Sequence, residues 1–245
     1  MSVPSASVQA GEGGRILQPL AGWLGELPQL IMLDLDGTLV DSAADIALSL
    51  NRALDELGLG QVSDALVRDG VGRGAARLMH YTLSHLRPHH GEDPQGHALE
   101  SRLLAVFMRH YEASVCEAST VYPGVREFLA AAQSAGIALA CVTNKPYRPA
   151  IALLDALDLL APFALVIGGD SLTQRKPHPE PLQHCLRHFS VTPTRALMVG
   201  DSRNDVDAAK AAGVPVLALP YGYNHGEPIE ACAPDRLVAS LAALL

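Results

Sequence analysis

Two aspartates separated by a single leucine lie within an apolar segment. The segment reads IMLDLDGTLVD over residues 31–41, and the two acidic residues are Asp34 and Asp36. Side chains at positions i and i+2 of a strand point to the same side, so both carboxylates are expected to emerge together. An ionised carboxylate in an apolar layer is costly unless a cation or a proton accompanies it. The pair therefore predicts a site that holds a cation, a proton or both.

Other polar residues follow other apolar segments of the chain. They are Thr143, Asn144, Lys176, Asp201 and Asp205. In an open α/β sheet, ligands bind at the carboxyl edge of the strands, beside the switch in strand order. If each segment is a strand of one parallel sheet, these distant residues meet in a single crevice.

The residue types indicate phosphoryl transfer. Clustered oxygen ligands without His or Cys suit magnesium, which commonly shares its ligand shell with a substrate phosphate. Lys176 and Thr143 can hold phosphoryl oxygens. Asp34 can then attack phosphorus as a nucleophile, and Asp36 can protonate the leaving oxygen and later activate water.

The apolar segments alternate with helical patterns, which predicts an α/β fold with a doubly wound, Rossmann-like parallel sheet. The predicted strands cover residues 30–35, 137–143, 163–168, 195–199 and 214–219. The predicted helices cover residues 123–136, 149–159, 179–189, 205–212 and 235–245.

About one hundred residues separate the first two predicted strands, far more than one crossover helix requires. Amphipathic stripes within this interval predict an inserted, small helical cap domain over residues 43–118. The catalytic core is then formed by residues 29–42 and 119–245, after a flexible leader over residues 1–28. Within that leader, Ile16 to Leu27 contains enough Leu and one Trp to form a short packed segment. Within the insertion, the polar segment 87–97 contains several His residues, but its irregular spacing favours an exposed loop over a metal site.

Composition narrows the range of partners. The chain has 245 residues, 49% of them apolar, and a formal net charge of -8. The acidic balance and the scattered basic residues predict no binding to nucleic acid or to an anionic membrane. The absence of a spanning apolar stretch or a secretory signal, and four widely spaced cysteines, predict a cytoplasmic protein with reduced thiols. The oligomeric state is left open between a monomer and a homodimer.

Four motifs occur in the order typical of the haloacid dehalogenase superfamily. They read DLDGTLVDS, VTNKP, KPHPEPL and VGDSRNDVDAAKAAG. The chain resembles the phosphoglycolate phosphatase branch of that superfamily over residues 30–245. The resemblance implies a Mg²⁺-dependent phosphomonoesterase that hydrolyses 2-phosphoglycolate, a small phosphorylated acid, through an aspartyl-phosphate intermediate.

The resemblance also implies a role for each motif residue. Asp34 is the nucleophile and also binds magnesium, and Asp36 is the acid/base whose backbone carbonyl binds the same metal. Lys176 neutralises charge, and Thr143 and Asn144 contact the phosphate. Asp201 is the carboxylate metal ligand, and Asp205 is a second acidic support for the metal.

The segment VGRGAARLM at residues 71–79 suggests how the substrate is selected. Two glycines around Arg73 suit a tight loop that brings a guanidinium to an anion, and phosphoglycolate phosphatases have a similar cap loop. Arg73 is the predicted partner of the substrate carboxylate, with Arg77 as the alternative. The alternative, in which the two glycines merely separate helices and Arg73 is solvated, stays open.

Other functions use a similar core. A phosphatase of another small phosphoester and a sugar phosphomutase both stay open, because the four motifs recognise only the phosphoryl group and the metal. A dehalogenase is disfavoured because that branch lacks the aspartate found here as Asp36. The complete set of acidic residues and Lys176 argues against a non-catalytic phosphate-binding module.

Overall fold

The computed structural model describes residues 17–88 and 94–245. Its centre is a six-stranded, fully parallel sheet in the order β5-β4-β1-β6-β7-β8. The strands are β1 (Leu30–Leu33), β4 (Ala138–Val142), β5 (Leu165–Ile167), β6 (Ala196–Gly200), β7 (Val216–Ala218) and β8 (Arg236–Leu237). The chain adds β4 and β5 on one side of β1 and then returns to add β6 on the other. The predicted doubly wound α/β sheet is confirmed, and its switch in strand order lies at β1.

Both faces of the sheet are covered because its strands are apolar on both sides. Ile31 and Leu33 belong to one buried cluster, which includes side chains of α1 (Gln18–Leu24), α6 (Val125–Ser134) and α7 (Tyr147–Ala156). Leu30 and Met32 belong to the opposite cluster, with α8 (Glu180–Phe189) and α9 (Arg203–Ala212). This alternation places residues i and i+2 on one face, as expected for a strand.

The interval between β1 and β4 contains a helical insertion. Its helices are α2 (Ala43–Glu56), α3 (Asp64–Gly70), α4 (Ala75–Leu86) and α5 (Pro94–Ala113). They share an apolar cluster to which Leu50 and Phe107 contribute, at the spacing that the amphipathic pattern predicts. A short antiparallel pair, β2 (Val40–Asp41) and β3 (Thr120–Val121), joins the segments that enter and leave the insertion. The domain limits at residues 43 and 118 stay a prediction.

The second part of the predicted leader packs against the core. Residues 17–28 include the helix α1, and Leu17 and Leu20 are fully buried against the sheet. Burial of these two leucines offsets the entropy of ordering so short a segment. Residues 1–16 lie outside the described residues.

The predicted helix over residues 235–245 is wrong. Arg236 and Leu237 form the parallel edge strand β8 against β7, and a short 3₁₀ turn follows at Leu241–Leu244. The edge of β7 has backbone groups that need partners, and Val238 donates its N–H to the Ala218 carbonyl at 3.1 Å. Pairing with the sheet therefore prevails over the local helical pattern.

The predicted exposed loop at 87–97 falls partly on residues 89–93, which lie outside the described residues; residues 94–97 instead begin α5. Within residues 17–88 and 94–245, no helix is both long enough and apolar enough to span a membrane.

Candidate active site

Asp34 lies at the centre of the site, directly after β1 at the carboxyl edge of the sheet. Its backbone N–H donates to the Val199 carbonyl of the neighbouring strand at 3.0 Å, which fixes its position. The side chain is 6% exposed, and the Lys176 ammonium lies 2.9 Å from its Oδ1 atom. Burial raises the pKa of Asp34 to about 7, against the opposing charge of Lys176 and with support from the negative charge of Asp205.

Asp201 and Asp205 approach Asp34 from the end of β6 and the start of α9. One carboxylate oxygen from each of the three aspartates lies within 4.8 Å of the others. Asp201 accepts hydrogen bonds from the Thr38 hydroxyl and the Tyr223 N–H, both at 2.6 Å. Burial, followed by the charges of Asp34 and Asp205, raises the pKa of Asp201 well above its ordinary value. The structure therefore brings together three of the predicted metal-binding residues.

Both carboxylate oxygens of Asp205 accept hydrogen bonds from other protein groups. Its Oδ2 atom accepts from the N–H and hydroxyl of Ser202, which completes a capping box at the start of α9. Its Oδ1 atom lies 2.6 Å from the Lys176 ammonium, which also donates to the Val142 carbonyl at 2.5 Å. Asp205 therefore holds Lys176 in place beside Asp34.

The Asp36 carboxylate lies outside the three-aspartate cluster and is paired with a cation. The Lys145 ammonium lies 2.9 and 3.1 Å from its two oxygens, and the Ser42 hydroxyl donates to Oδ1 at 2.5 Å. Burial lowers the pKa of Lys145, but the Asp36 charge outweighs this and raises it above its ordinary value. Sequence reasoning missed Lys145, although its position in VTNKP at the end of β4 was a signal.

The charge balance of the buried side chains in the site favours binding of a divalent cation. Asp34, Asp36, Asp201 and Asp205 are opposed by two buried ammonium groups, those of Lys145 and Lys176. Ionisation of all four carboxylates leaves a deficit of two positive charges. The oxygen-only donor set suits magnesium. The residues present therefore fit a magnesium ion held by Asp34 and Asp201, with Asp205 in support.

Thr143 and Asn144 follow β4 at the same edge. Thr143 is buried beside the cavity that contains Asp34, and its Oγ1 atom accepts from the Lys145 N–H at 3.2 Å. The Asn144 amide donates to the carbonyls of Gly72 and Lys176, both at 2.9 Å. Both of its N–H donors are thus used within the protein, so its amide nitrogen is not available for the predicted phosphate contact. The side chain instead connects the insertion to the core.

A cavity of about 50 Å³ lies between the sheet edge and the helical insertion. Asp34, Asp36, Thr143 and Lys145 form its polar side. Its apolar wall comes from the insertion, through side chains that include Ile46, Val71, Leu78, Phe107, Met108 and Tyr111. A space of this size suits a small group attached to the phosphate.

Arg73 does not line this cavity. Its side chain is exposed and lies with Arg77 along a second cleft, which residues 174–179, including Lys176, also line. The loop does form the tight turn expected from its glycines, since Gly72 has a φ of +98° and offers its carbonyl to Asn144 and Asn204. The backbone of this loop thus reaches the site, while the predicted guanidinium points into the other cleft.

The segment after β7 supports the site through Gly222. A Cβ atom on Gly222 would lie 2.2 Å from Oδ2 of Asp201, so no larger residue fits without displacing that carboxylate. The next residue, Tyr223, donates its N–H to the same oxygen. The close approach of this backbone to Asp201 therefore requires glycine.

A comparison with known families decides where the chain belongs. The model of the haloacid dehalogenase-like hydrolases matches residues 31–219. This chain belongs to the haloacid dehalogenase-like hydrolase family. The match spans the strands and loops that carry every aspartate of the site, and it confirms the family that the four motifs predict.

Similarity to individual proteins identifies the branch of the family to which this hydrolase belongs. It is 46% identical over 221 residues to a phosphoglycolate phosphatase of Pseudomonas syringae pv. tomato, covering 90% of this chain and 80% of the relative. It is 40% identical to a phosphoglycolate phosphatase of Nitrosococcus oceani, covering 87% and 93%. A crystal structure of a predicted phosphoglycolate phosphatase from Haemophilus somnus superposes with a TM-score of 0.82 at 37% identity, covering 88% and 96%. This hydrolase is an enzyme of the phosphoglycolate phosphatase branch.

Proposed function

We propose that the chain is a Mg²⁺-dependent phosphomonoesterase that hydrolyses 2-phosphoglycolate to glycolate and inorganic phosphate. The observation that carries the proposal is the buried Asp34 carboxylate, which lies beside the Lys176 ammonium and within a cluster with two further carboxylates. The names of the relatives support the substrate. The small cavity beside Asp34 also favours a short ester over a hexose phosphate. A sugar phosphomutase would have to accommodate the larger sugar phosphate.

The first chemical step transfers the phosphoryl group to the protein. An Asp34 oxygen attacks phosphorus, the bond from phosphorus to the ester oxygen breaks, and the electron pair stays on that oxygen. Asp36 in its protonated form gives its proton to the same oxygen, which releases glycolate. Lys176, held by Asp205, balances the charge of the phosphoryl oxygens, and Thr143 donates a hydrogen bond to one of them.

The second step returns the phosphoryl group to water. Asp36, now ionised, takes a proton from a water molecule that attacks phosphorus, and the bond to the Asp34 oxygen breaks. Magnesium, when bound, supplies positive charge that offsets the repulsion between the aspartates and the phosphate. Lys145, whose ammonium lies within hydrogen-bonding distance of both Asp36 oxygens, holds the Asp36 side chain at the cavity during both steps.

A phosphate-release assay tests this proposal. The wild-type chain is expected to release phosphate from 2-phosphoglycolate with magnesium and to lose this activity with EDTA. Asp34→Asn keeps the shape of the side chain but removes the nucleophile, so kcat should fall by roughly three orders of magnitude or more. Retention of more than about a tenth of wild-type kcat would exclude Asp34 as the nucleophile.

The cellular setting is a further part of the proposal. We place the enzyme in the cytoplasm, where thiols stay reduced, because Cys116, Cys141, Cys185 and Cys232 are all free.

A further inference from the structure

The proposed substrate carries a carboxylate in addition to its phosphate, and that group needs a partner inside the site. The phosphate has Lys176 and Thr143, whereas Arg73, the predicted partner of the carboxylate, is exposed and does not line the cavity that contains Asp34 and Thr143. A carboxylate enclosed without a cation or a hydrogen bond would weaken binding substantially. The cavity beside Asp34 therefore has to supply another group.

Lys145 is the sole cation among the described residues that line this cavity. Its side chain is 4% exposed, and its ammonium lies 4.6 Å from the centre of the Tyr111 ring, which belongs to the insertion. Asp36 accepts from this ammonium at 2.9 and 3.1 Å. Because an ammonium has three N–H donors, a further acceptor can bind Lys145 while the pair with Asp36 persists.

The distances in the site suit a carboxylate one carbon from the ester oxygen. In 2-phosphoglycolate, a carboxylate oxygen lies about 3 Å from the ester oxygen, by ordinary bond lengths. If Asp36 protonates that ester oxygen, the carboxylate lies in the immediate neighbourhood of Asp36. The Lys145 ammonium occupies that neighbourhood already.

We propose that Lys145 is the residue that binds the substrate carboxylate and so selects 2-phosphoglycolate among small phosphoesters. The inference rests on the proposed phosphatase function and replaces Arg73 as the specificity determinant. It implies that the enzyme recognises both ends of its substrate from the core. The insertion then contributes the apolar wall, including Phe107 and Tyr111, that excludes longer or bulkier esters.

A pair of esters isolates the carboxylate. We compare 2-phosphoglycolate with its neutral carboxamide, phosphoglycolamide, which has the same length and nearly the same shape. In Lys145→Met, which keeps an unbranched side chain without the charge, loss of the pair with Asp36 lowers kcat/KM for both esters. The acid should lose roughly 10- to 100-fold more than the amide, the usual range for a charge-assisted hydrogen bond.

Arg73→Met is the matched control. Because Arg73 lies outside the cavity, this variant should change kcat/KM for the acid and the amide by the same factor. Equal losses on the two esters in Lys145→Met would overturn the proposal and leave Lys145 as a positioning residue for Asp36. A loss confined to the acid in Arg73→Met would likewise overturn it in favour of Arg73.

Equilibrium binding tests whether Lys145 binds the carboxylate even if the turnover of a variant is too slow to measure. The non-hydrolysable 3-phosphonopropionate and its amide are titrated calorimetrically into the wild-type enzyme and into Lys145→Met, with magnesium. The wild type should prefer the acid, and the variant should lose that preference; a preserved preference contradicts the proposal. If Lys145→Met does not fold, Lys145→Gln takes its place in both experiments.

These two measurements also separate this inference from the proposed function. A wild-type enzyme that hydrolyses neither ester contradicts the phosphatase activity, and the binding preference still tests Lys145. A wild-type enzyme that hydrolyses both esters equally well keeps the phosphatase activity but excludes selection by the carboxylate.

Discussion

Asp45 in α2 holds Ser119, which lies 74 residues further along the chain, at the opposite end of the helical insertion. The Asp45 carboxylate accepts from the Ser119 N–H at 2.8 Å and from the Ser119 hydroxyl. Its other oxygen accepts from the N–H groups of Glu117 and Ala118. One fully buried carboxylate thus ties the segment that enters the insertion to the segment that leaves it.

Asp45→Ala should therefore destabilise the protein. It leaves several polar groups at 117–119 without a partner, which costs about 2–4 kcal/mol. The free energy of unfolding from urea titration measures the effect. Asp55→Ala is the control, because Asp55 is exposed on the same helix. Equal stability of the two variants would show that the contact at Ser119 adds nothing.

The pKa of Asp34 predicts how stability depends on pH in the metal-free enzyme. Because its folded-state pKa of about 7 exceeds the ordinary 3.8, the folded protein keeps this proton longer than the unfolded chain. Its contribution to stability therefore falls as pH rises from about 4 to about 7. Asp34→Asn lacks this titration, so in EDTA its Tm advantage over the wild type should grow between pH 4.5 and pH 8.

Burial of the Asp34 carboxylate gives this effect its size. One pKa unit corresponds to about 1.4 kcal/mol, so the advantage at pH 8 should reach a few kcal/mol, or roughly 3–10 °C in Tm. Asp155→Asn, at an exposed position, should show no such trend. A Tm advantage that is independent of pH would mean that Asp34 is ionised across the whole range.

Asp36→Asn should impair turnover in a way that depends on the leaving group. Asparagine has no proton to give, so hydrolysis of 2-phosphoglycolate should fall by roughly 100-fold or more. The defect should be smaller with 4-nitrophenyl phosphate, because nitrophenolate leaves without a proton. Comparison of kcat for the two esters measures this, and an equal defect on both contradicts the role as acid.

Asp201→Ala and Lys176→Ala should fail in different ways. The first removes a carboxylate from the three-aspartate cluster, so half-maximal activity should require at least about tenfold more magnesium. The second removes charge balance at the phosphoryl group, which added magnesium does not replace. Magnesium titrations of phosphate release separate the two. Full recovery of Lys176→Ala at high magnesium would show that the two roles are reversed.

Asn144→Ala should loosen the loop between α3 and α4. It leaves the carbonyls of Gly72 and Lys176 without this donor, which costs about 1–3 kcal/mol, and it should raise KM for 2-phosphoglycolate. Asn204→Ala is the matched control, since it removes a single bond to the same Gly72 carbonyl. Thermal unfolding and KM are measured for both. If the control is affected as strongly, the contact from Asn144 to Lys176 has no separate effect.

Most strands of the sheet, and the site residues that follow them, could be predicted from the order of the amino acids. Short apolar segments bounded by turn residues predict β1, β4, β5, β6 and β7, because burial on both faces leaves few alternatives for such segments. Asp34, Thr143 and Asp201 directly follow three of these strands. Once the strands form one parallel sheet, local chain geometry alone brings these residues to the same edge.

The contacts between long side chains, and the packing of Leu17 and β8, could not be predicted from sequence and depend on the assembled fold. Lys145 pairs with Asp36, and Arg73 lies in another cleft, because the reach of a flexible cation depends on the placement of separate elements. The strand β8 and the buried Leu17 depend in the same way on an edge or a face that only the assembled sheet provides. Sequence spacing fixes directions within an element, whereas these contacts depend on distances between elements.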